Sequence, residues 1–298
     1  MNRLAARSFK LQFILMLAAI FLGSHTLAQP TGPAWAWGDN GYGPLSVGRF
    51  GFESLPMQGT GLHNVVGVEA GGWHSLALLQ DGTVWAWGDN SQGILGIGTT
   101  APRSSPAQVL GLSDVTAVAA GGQHSLALKS DGTVWSWGNN SWGQLGIGTH
   151  DPSWVPTRVQ GLTSVIAIAA GGNHALALRA DGTVWSWGGN ADGQLGLGHT
   201  NERTLPTRIV SLSNASAVSA GGAFSLVLSN DGTVWSFGNN VFGQLGDGTT
   251  TDRTLPVPVM GLPGASSVRA GGFHSLALSG AGTLYAWGMN SNGQLGLN

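Results

Sequence analysis

In the middle of the chain, apolar side chains recur at every second position: VIAIAAG from Val165, HALALRA from His174 and TVWSWG from Thr183. A period of two puts those side chains on one face of an extended backbone, so each run predicts a short β-strand rather than a helix. PTRVQGL from Pro156 precedes them, and in chain order the unit reads as four strands. Asp181-Gly182, between the last two, predicts a two-residue hairpin of type I′, which needs positive φ. The same unit returns along the chain. AGGWHSLALLQDGTVWAWGDN begins at Ala70, AGGQHSLALKSDGTVWSWGNN at Ala120 and AGGNHALALRADGTVWSWGGN at Ala170. AGGAFSLVLSNDGTVWSFGNN begins at Ala220 and AGGFHSLALSGAGTLYAWGMN at Ala270, a spacing of 50 residues without insertion. A partial copy, AWAWGDN, stands at Ala34, and the sequence closes within another, GQLGLN.

Repeats of 20–50 residues indicate solenoids, propellers or arrays. Four antiparallel strands per unit, repeated radially, describe a β-propeller, whereas a β-solenoid usually has shorter repeats. The expected fold is therefore all-β, with about five complete four-stranded blades and a lone N-terminal strand in an incomplete ring. That geometry implies either an open arc or a piece of a longer protein. Pro56, Pro106, Pro156, Pro206 and Pro256 share one phase. Proline cannot donate to a ladder, so its strand starts there or lies at a blade edge.

The recurring residues read as scaffold. Aromatic pairs at 35/37, 85/87, 135/137, 185/187, 235/237 and 285/287 each share a strand face and are expected to fill the space between blades. His74, His124, His174 and His274 occupy a phase that carries Phe224 in one unit. Four copies spread around a ring do not converge as metal ligands or bases, so a hydrogen bond within the blade is expected. Gly71-Gly72 and its copies are expected where a side chain would clash. Asn40, Asn90 and their equivalents at 140, 190, 240 and 290 are expected to close Asx-turns.

Composition narrows the function classes. The chain has 298 residues and no cysteine, which removes disulfides, thiolate metal sites and cysteine nucleophiles. Arg3, Arg7 and Lys10 precede the apolar run LQFILMLAAIFLG, and Thr26-Leu27-Ala28 supplies small residues before a cleavage point. This is the layout of a signal peptide over residues 1–28, leaving a propeller domain over 29–298 and no stable membrane insertion after cleavage. Cleavage leaves 9 Lys+Arg against 14 Asp+Glu, a formal charge of -5. Such a chain lacks the basic stripe that nucleic acid requires. A secreted, periplasmic or cell-surface location is expected. No zinc-protease, serine-hydrolase, Walker or EF-hand motif is present, so no catalytic residue, cofactor or metal is assigned. Asp247–Asp252, DGTTTD, reads as a solvated turn rather than a calcium loop.

The run WGNNSWGQLGIGTHDPSWVPTRVQGLTSVIAIAAGGNHALAL, from Trp137 to Leu178, closely resembles the repeat of the regulator of chromosome condensation family. The resemblance covers everything after residue 28 and implies a β-propeller, usually of seven blades. The first copy departs from it, reading GPLSVGRFGFESLP from Gly43. The founding member of the family is a nuclear guanine nucleotide exchange factor that binds chromatin. That activity transfers poorly, because this chain has a signal peptide, no basic tail and no insertion to serve as a wedge. In setting it is more similar to secreted bacterial members such as the propeller-type β-lactamase inhibitor protein. That resemblance implies binding of a protein through aromatic and polar loop residues on one face.

If invariant positions are scaffold, function belongs to positions that vary. One phase runs Trp73, Gln123, Asn173, Ala223, Phe273, and a second runs Tyr42, Gln92, Trp142, Asp192, Phe242, Asn292. Trp154 stands in the loop that follows in one copy. Aromatic residues on loops dominate interface hot spots. The expected partner-binding residues are Trp73, Gln123, Asn173, Phe273, Trp142, Trp154 and Phe242. The expected function is a secreted, non-enzymatic propeller that binds a protein partner. The alternative is a glycan-binding or cell-envelope propeller, and nucleotide exchange is the weakest reading.

Overall fold

Period-two alternation punctuated by glycine and proline produces strands throughout. The computed structural model describes residues 35–41, 51–59 and 61–296, and every regular element in them is a β-strand. The expected signal peptide, residues 1–28, lies outside the described residues. Strands β1 (Trp35–Asn40) and β2 (Gly51–Gln58) form a two-stranded ribbon. The first four-stranded blade is β3 (Val65–Ala70), β4 (His74–Leu79), β5 (Val84–Gly88) and β6 (Arg103–Gln108). The second is β7 (Val115–Ala120), β8 (His124–Lys129), β9 (Val134–Gly138) and β10 (Ser153–Arg158). The third is β11 (Val165–Ala170), β12 (His174–Arg179), β13 (Val184–Gly188) and β14 (Arg203–Arg208). The fourth is β15 (Ala215–Ala220), β16 (Phe224–Ser229), β17 (Val234–Gly238) and β18 (Arg253–Pro258). The last sheet has three strands, β19 (Ala265–Ala270), β20 (His274–Ser279) and β21 (Leu284–Gly288).

The fold is the expected open propeller, but the repeat is cut at a different point. The proline-bearing strand does not begin a blade. It pairs antiparallel with the preceding tryptophan strand and forms that blade's outer edge, β10 on β9 and β14 on β13. The reason lies in the long loop after each WG. It returns the chain to the free edge of the tryptophan strand, whose ladder groups need partners. Pro156 falls in the irregularity between Ser153↔Gly138 and Thr157↔Ser136, where no N–H is required of it. Hence the described residues form four complete blades and a three-stranded sheet, and the strand at Trp35 is not alone but pairs with β2.

The hairpins also differ from the expected type. Gly82 has φ +77°, but Asp81 is not among the residues with positive φ. Gly82 N donates to Leu79 O at 2.9 Å and Leu79 N to Thr83 O at 3.0 Å. This is a three-residue loop, a type I turn followed by a left-handed glycine. Asp81 is selected for a different reason. Its carboxylate accepts from Thr83 Oγ1 at 2.7 Å and from Thr83 N at 3.0 Å, and those bonds hold its pKa below the usual range. Where Ala281 replaces the aspartate, Ser279 Oγ accepts from Thr283 N at 3.1 Å instead.

Blades stack face to face, β4 on β7, β8 on β11, β12 on β15 and β16 on β19. The first strands β3, β7, β11, β15 and β19 lie side by side in that order and line the axial side of the blades. The core is a series of interfaces between blades. Ala119, Leu126, Leu128 and Val134 of the second blade pack against Ala177 and Trp187 of the third. Trp187 is fully buried, and its indole N–H donates to Gln144 O of the preceding blade at 2.9 Å. Trp137 does the same to Ile94 O at 2.8 Å. Trp137, Trp187, Phe237 and Trp287 thus fill inter-blade space as expected. The first member of each pair from 85/87 onward is only half-buried, and Trp85 instead donates to Thr83 Oγ1 at 3.3 Å.

Candidate functional site

The site is assembled at one end of the blades. His174 at the start of β12 pairs with Gly188 at the end of β13. The Gly-Gly turn before the histidine and the loop after WG therefore emerge together. The glycines are there because successive blades touch through backbone. Gly72 N donates to Gly121 O at 3.0 Å and Gly122 N to Gly171 O at 3.0 Å. A Cβ on Gly71 would lie 2.6 Å from Gly121 O, and one on Gly72 2.8 Å from Gly122 O. Such a contact would push the blades apart.

Below this seam lie the histidines. The expected bond within the blade is instead a bond between blades. His74 Nε2 meets Ser125 Oγ at 2.8 Å and His174 Nε2 meets Ser225 Oγ at 2.9 Å, each 51 residues along the chain. The serines pass the contact on, Ser125 to Ile94 O and Ser225 to Gln194 O. The reason is that the imidazole lies against its own Gly-Gly turn, a Cβ on Gly71 falling 2.5 Å from His74 Cε1, with Nε2 directed at the next blade. His124 lacks this bond. Position 175 is alanine where 125 and 225 are serine, and neither ring nitrogen of His124 has a partner. Burial lowers the pKa of His74 to about 4 and those of His124 and His174 to about 3. All three are neutral imidazoles at neutral pH, and among the described residues no three His, Asp or Glu side chains gather as metal ligands.

The asparagines do more than close an Asx-turn. Asn140 is buried, its Oδ1 accepts from Leu145 N at 2.9 Å, and its Nδ2 donates to Thr149 O at 2.8 Å and Asp151 O at 2.9 Å. One side chain thus holds the whole loop after WG. The DGTTTD turn is exposed over Gly248–Asp252 as expected, and its first residue, Asp247, is tied down. Asp247 accepts from Arg253 Nε at 2.7 Å, Thr249 N at 3.0 Å and Asn240 Nδ2 at 3.1 Å, so both of its carboxylate oxygens already hold protein donors.

On this scaffold the two variable phases meet across each blade boundary. A loop residue of one blade comes beside the pre-histidine residue of the next, with a third residue, just after WG, tied to the second by backbone. Asn139 N donates to Gln123 O at 2.9 Å, and Asn139 Nδ2 reaches Gln92 Oε1 at 3.2 Å and Gln123 Oε1 at 3.4 Å. At the next boundary, a Cβ on Gly189 would lie 3.4 Å from Asn173 Cβ and 3.5 Å from Trp142 Cβ. Asn239 Nδ2 then donates to Asp192 Oδ1 at 3.0 Å. Finally Phe242 and Phe273 meet edge to face, ring centroids 5.5 Å apart, beside Met289, whose N donates to Phe273 O. In the first blade Trp73 O accepts from Asp89 N at 3.0 Å. Trp73, Trp142, Phe242 and Phe273 are 39%, 49%, 47% and 41% exposed.

Six of the seven expected residues thus stand along one face, in sockets that run from Trp73, through the amides of Gln92 and Gln123, Trp142 with Asn173 and the acidic Asp192, to Phe242 with Phe273. Trp154 stands apart. It lies on the outer strand β10, its ring against the preceding blade's loop, where a Cβ on Gly93 would fall 2.3 Å from Trp154 Cδ1. Sequence reasoning missed the third member of each socket, Asp89, Asn139, Gly189, Asn239 and Met289. Their signal was available, because this position varies between an invariant glycine and an invariant asparagine.

Comparison with known proteins places the chain. A family model described as an RCC1-like domain matches residues 10–298. Among solved structures, human WBSCR16 is similar with a TM-score of 0.77 at 28% identity, over 85% of this chain and 74% of that one. Prp20p from Saccharomyces cerevisiae, described with its binding to Gsp1p and histones, has a TM-score of 0.63 at 25% identity, over 91% and 84% of the two chains. Yeast RCC1 (Prp20), bound by Kap60, shares the fold with a TM-score of 0.60 at 23% identity, over 97% and 88%. No curated protein sequence matches. Five successive blade sheets, their repeat signature and this match over nearly the whole chain lead to one conclusion: the chain belongs to the RCC1-like domain family of β-propellers.

Proposed function

We propose that this chain is an exported, non-enzymatic propeller that binds a protein partner through the sockets of its loop face. One observation carries the reading. The positions that vary between otherwise identical repeats converge in space at the blade boundaries, and they hold half-exposed aromatic rings there. Phe242 against Phe273 is the apolar end of the row, and Gln92, Gln123 and Asn139 form an amide socket. Rigid aromatics flanked by amides on a scaffold fixed by backbone bonds suit a protein surface, where such residues carry most of the energy. Prp20p, a relative of this fold, is itself a binder of proteins. Export rests on the sequence of residues 1–28 and is tested by N-terminal sequencing of the secreted chain, which should begin at Gln29.

The binding test compares the parent with Phe242→Ala/Phe273→Ala and with Val210→Ala, whose exposed side chain lies outside the sockets. Protein captured by the parent is purified and titrated. A loss of about 30-fold or more in affinity for the face variant, with none for Val210→Ala, supports the reading, since hot-spot losses are about 2 kcal/mol or more. Equal binding by all three sinks it. A glycan array that retains the parent and not a Trp142→Ala variant decides for the sugar-binding alternative.

A further inference from the structure

The outer strands β10, β14 and β18 each lie in a groove between their own tryptophan strand and the loop of the preceding blade. Their backbone passes over one glycine of that loop and is held by a second. A Cβ on Gly93, Gly143 or Gly193 would fall 2.9, 2.8 or 2.7 Å from the Cα of Trp154, Thr204 or Thr254. The carbonyls of the same three residues accept from Gly98 N at 3.0 Å, Gly148 N at 2.9 Å and Gly198 N at 2.8 Å. The next residue is apolar, and Leu205 and Leu255 lie over Gly148 and Gly198. Proline follows in each. Three residues on, Val159, Ile209 and Val259 donate through N to Val134 O, Val184 O and Val234 O at 2.9, 2.9 and 2.8 Å. Three consecutive grooves thus accept one pattern, an apolar residue followed by proline.

The fourth blade makes this groove once more, against β21. Gly243 and Gly248 keep the left-handed backbone of their equivalents, with φ +73° and +78°. Among the described residues no outer strand pairs with β21, no Cα lies within 4 Å of a Cβ on Gly243, and Gly248 N meets no backbone carbonyl. What remains is a groove of about 420 Å³ walled by Val259, Met260, Leu262, Tyr285 and Trp287.

We infer that this groove docks an extended segment of a partner protein, an apolar residue followed by proline, which adds to β21 as an antiparallel outer strand. Gly248 N donates to the residue before the apolar one, and Leu284 O accepts three residues past the proline, as their equivalents do in the inner grooves. The bare backbone of Gly243 lets the segment cross. Met260 lies over Gly248 as Leu110 lies over Gly98 beside Val155, and so borders the place of the apolar side chain. In strand addition the backbone bonds give affinity and the side-chain pockets give specificity. The occupant comes from another protein, because the proline-bearing strands of this chain, β2, β6, β10, β14 and β18, are each already paired. The groove lies along a sheet edge and does not rest on the sockets of the loop face.

The probe is the pattern the inner grooves accept, a fluorescein-labelled peptide with the sequence of residues 203–209, RTLPTRI. It is titrated onto the intact chain and followed by anisotropy. Saturable binding with a Kd of about 1 mM or tighter is expected, since ordering a short strand offsets much of what its bonds contribute. Leu205→Asp in the peptide, or Met260→Glu in the protein, should weaken binding about 10-fold or more, each setting an unpaired carboxylate against an apolar wall. Met260 is 68% exposed and Val210, its equivalent one repeat earlier, 82%, so neither change disturbs the core. Val210→Glu should bind like the parent, because β18 fills that groove. Amide exchange fixes the register. The peptide should slow exchange at Gly248 N and leave Gly198 N, already bonded to Thr254 O, unchanged. Absence of saturation, equal binding by the Met260→Glu chain, or an unprotected Gly248 overturns the proposal. So does a parent that is dimeric by light scattering and excludes the peptide, since a second copy then holds the edge.

Discussion

The third blade and the last sheet share most of their sequence and differ in what covers them. Leu178 on β12 is 0% exposed and Leu278 on β20 is 38% exposed. Val184 on β13 is fully buried, whereas Leu284 on β21 is largely exposed. Within each sheet the ladders are the same, Leu178↔Val184 and Leu278↔Leu284. What the third blade has in addition is an outer strand, β14, and a fourth blade against its face. A repeat of this kind cannot bury its own apolar face, and its stability resides in its boundaries with neighbours.

The sharpest way to break that comparison is one truncation made twice. Leu178→Ala should destabilise by about 2–5 kcal/mol, the range for a buried leucine, and Leu278→Ala by about 1 kcal/mol or less, as solvent already reaches it. Denaturant titration decides. Equal losses would mean that the face of β19–β21 is covered in solution.

The next effect comes from the histidines, all four of which are buried. The folded chain keeps His74, His124 and His174 neutral, with pKa values of about 4, 3 and 3, whereas the unfolded chain protonates them near 6.5. Their contribution is complete above pH 6.5 and is lost as pH falls toward 4. The three together should lose about 3 kcal/mol between pH 6.5 and 5.5, approaching 1.4 kcal/mol per unit for each further down. Replacing His124 by phenylalanine, the residue already accommodated at Phe224, should remove one third of that slope. An unchanged slope would mean that the histidines are not what titrates.

The smallest effect separates two boundaries that differ by one oxygen. Ala175→Ser restores at His124 the bond that His74 and His174 make, and should stabilise by about 1 kcal/mol. The same change in a His124→Phe background should give nothing. A gain in both backgrounds would assign the effect to packing rather than to the hydrogen bond.

Much of this was legible beforehand. The alternation in VIAIAAG and HALALRA specified strands, and the 50-residue period specified blades. Among the described residues, the second ring of the pairs ending at Trp137, Trp187, Phe237 and Trp287 packs between blades, as expected because one cannot expose every pair and still build a core. The cut between blades was not legible. PTRVQGL has the same period on either side of a junction, and only the free edge of the tryptophan strand decides that it pairs backward. The Asp-Gly pairs misled for a local reason: Asp181 serves Thr183 N and Oγ1, a role that needs a longer turn than type I′. Trp73, Gln123, Asn173, Phe273, Trp142 and Phe242 were singled out from variation alone and share one face, whereas the ring of Trp154 lies against Gly93.

By itself the sequence determined everything that depends on neighbours along the chain: strand, turn, repeat, and the glycines that let backbones meet. Tertiary structure decided everything that depends on neighbours one repeat away. His74 finds Ser125, Asn139 finds Gln92 and Phe242 finds Phe273 across blade boundaries, at separations of 51, 47 and one loop-to-turn step. A period of two or of 50 states which residues are alike, and says nothing of which unlike residues will touch. That is settled only when blades stack and ordering each is offset by the surface it buries against the next.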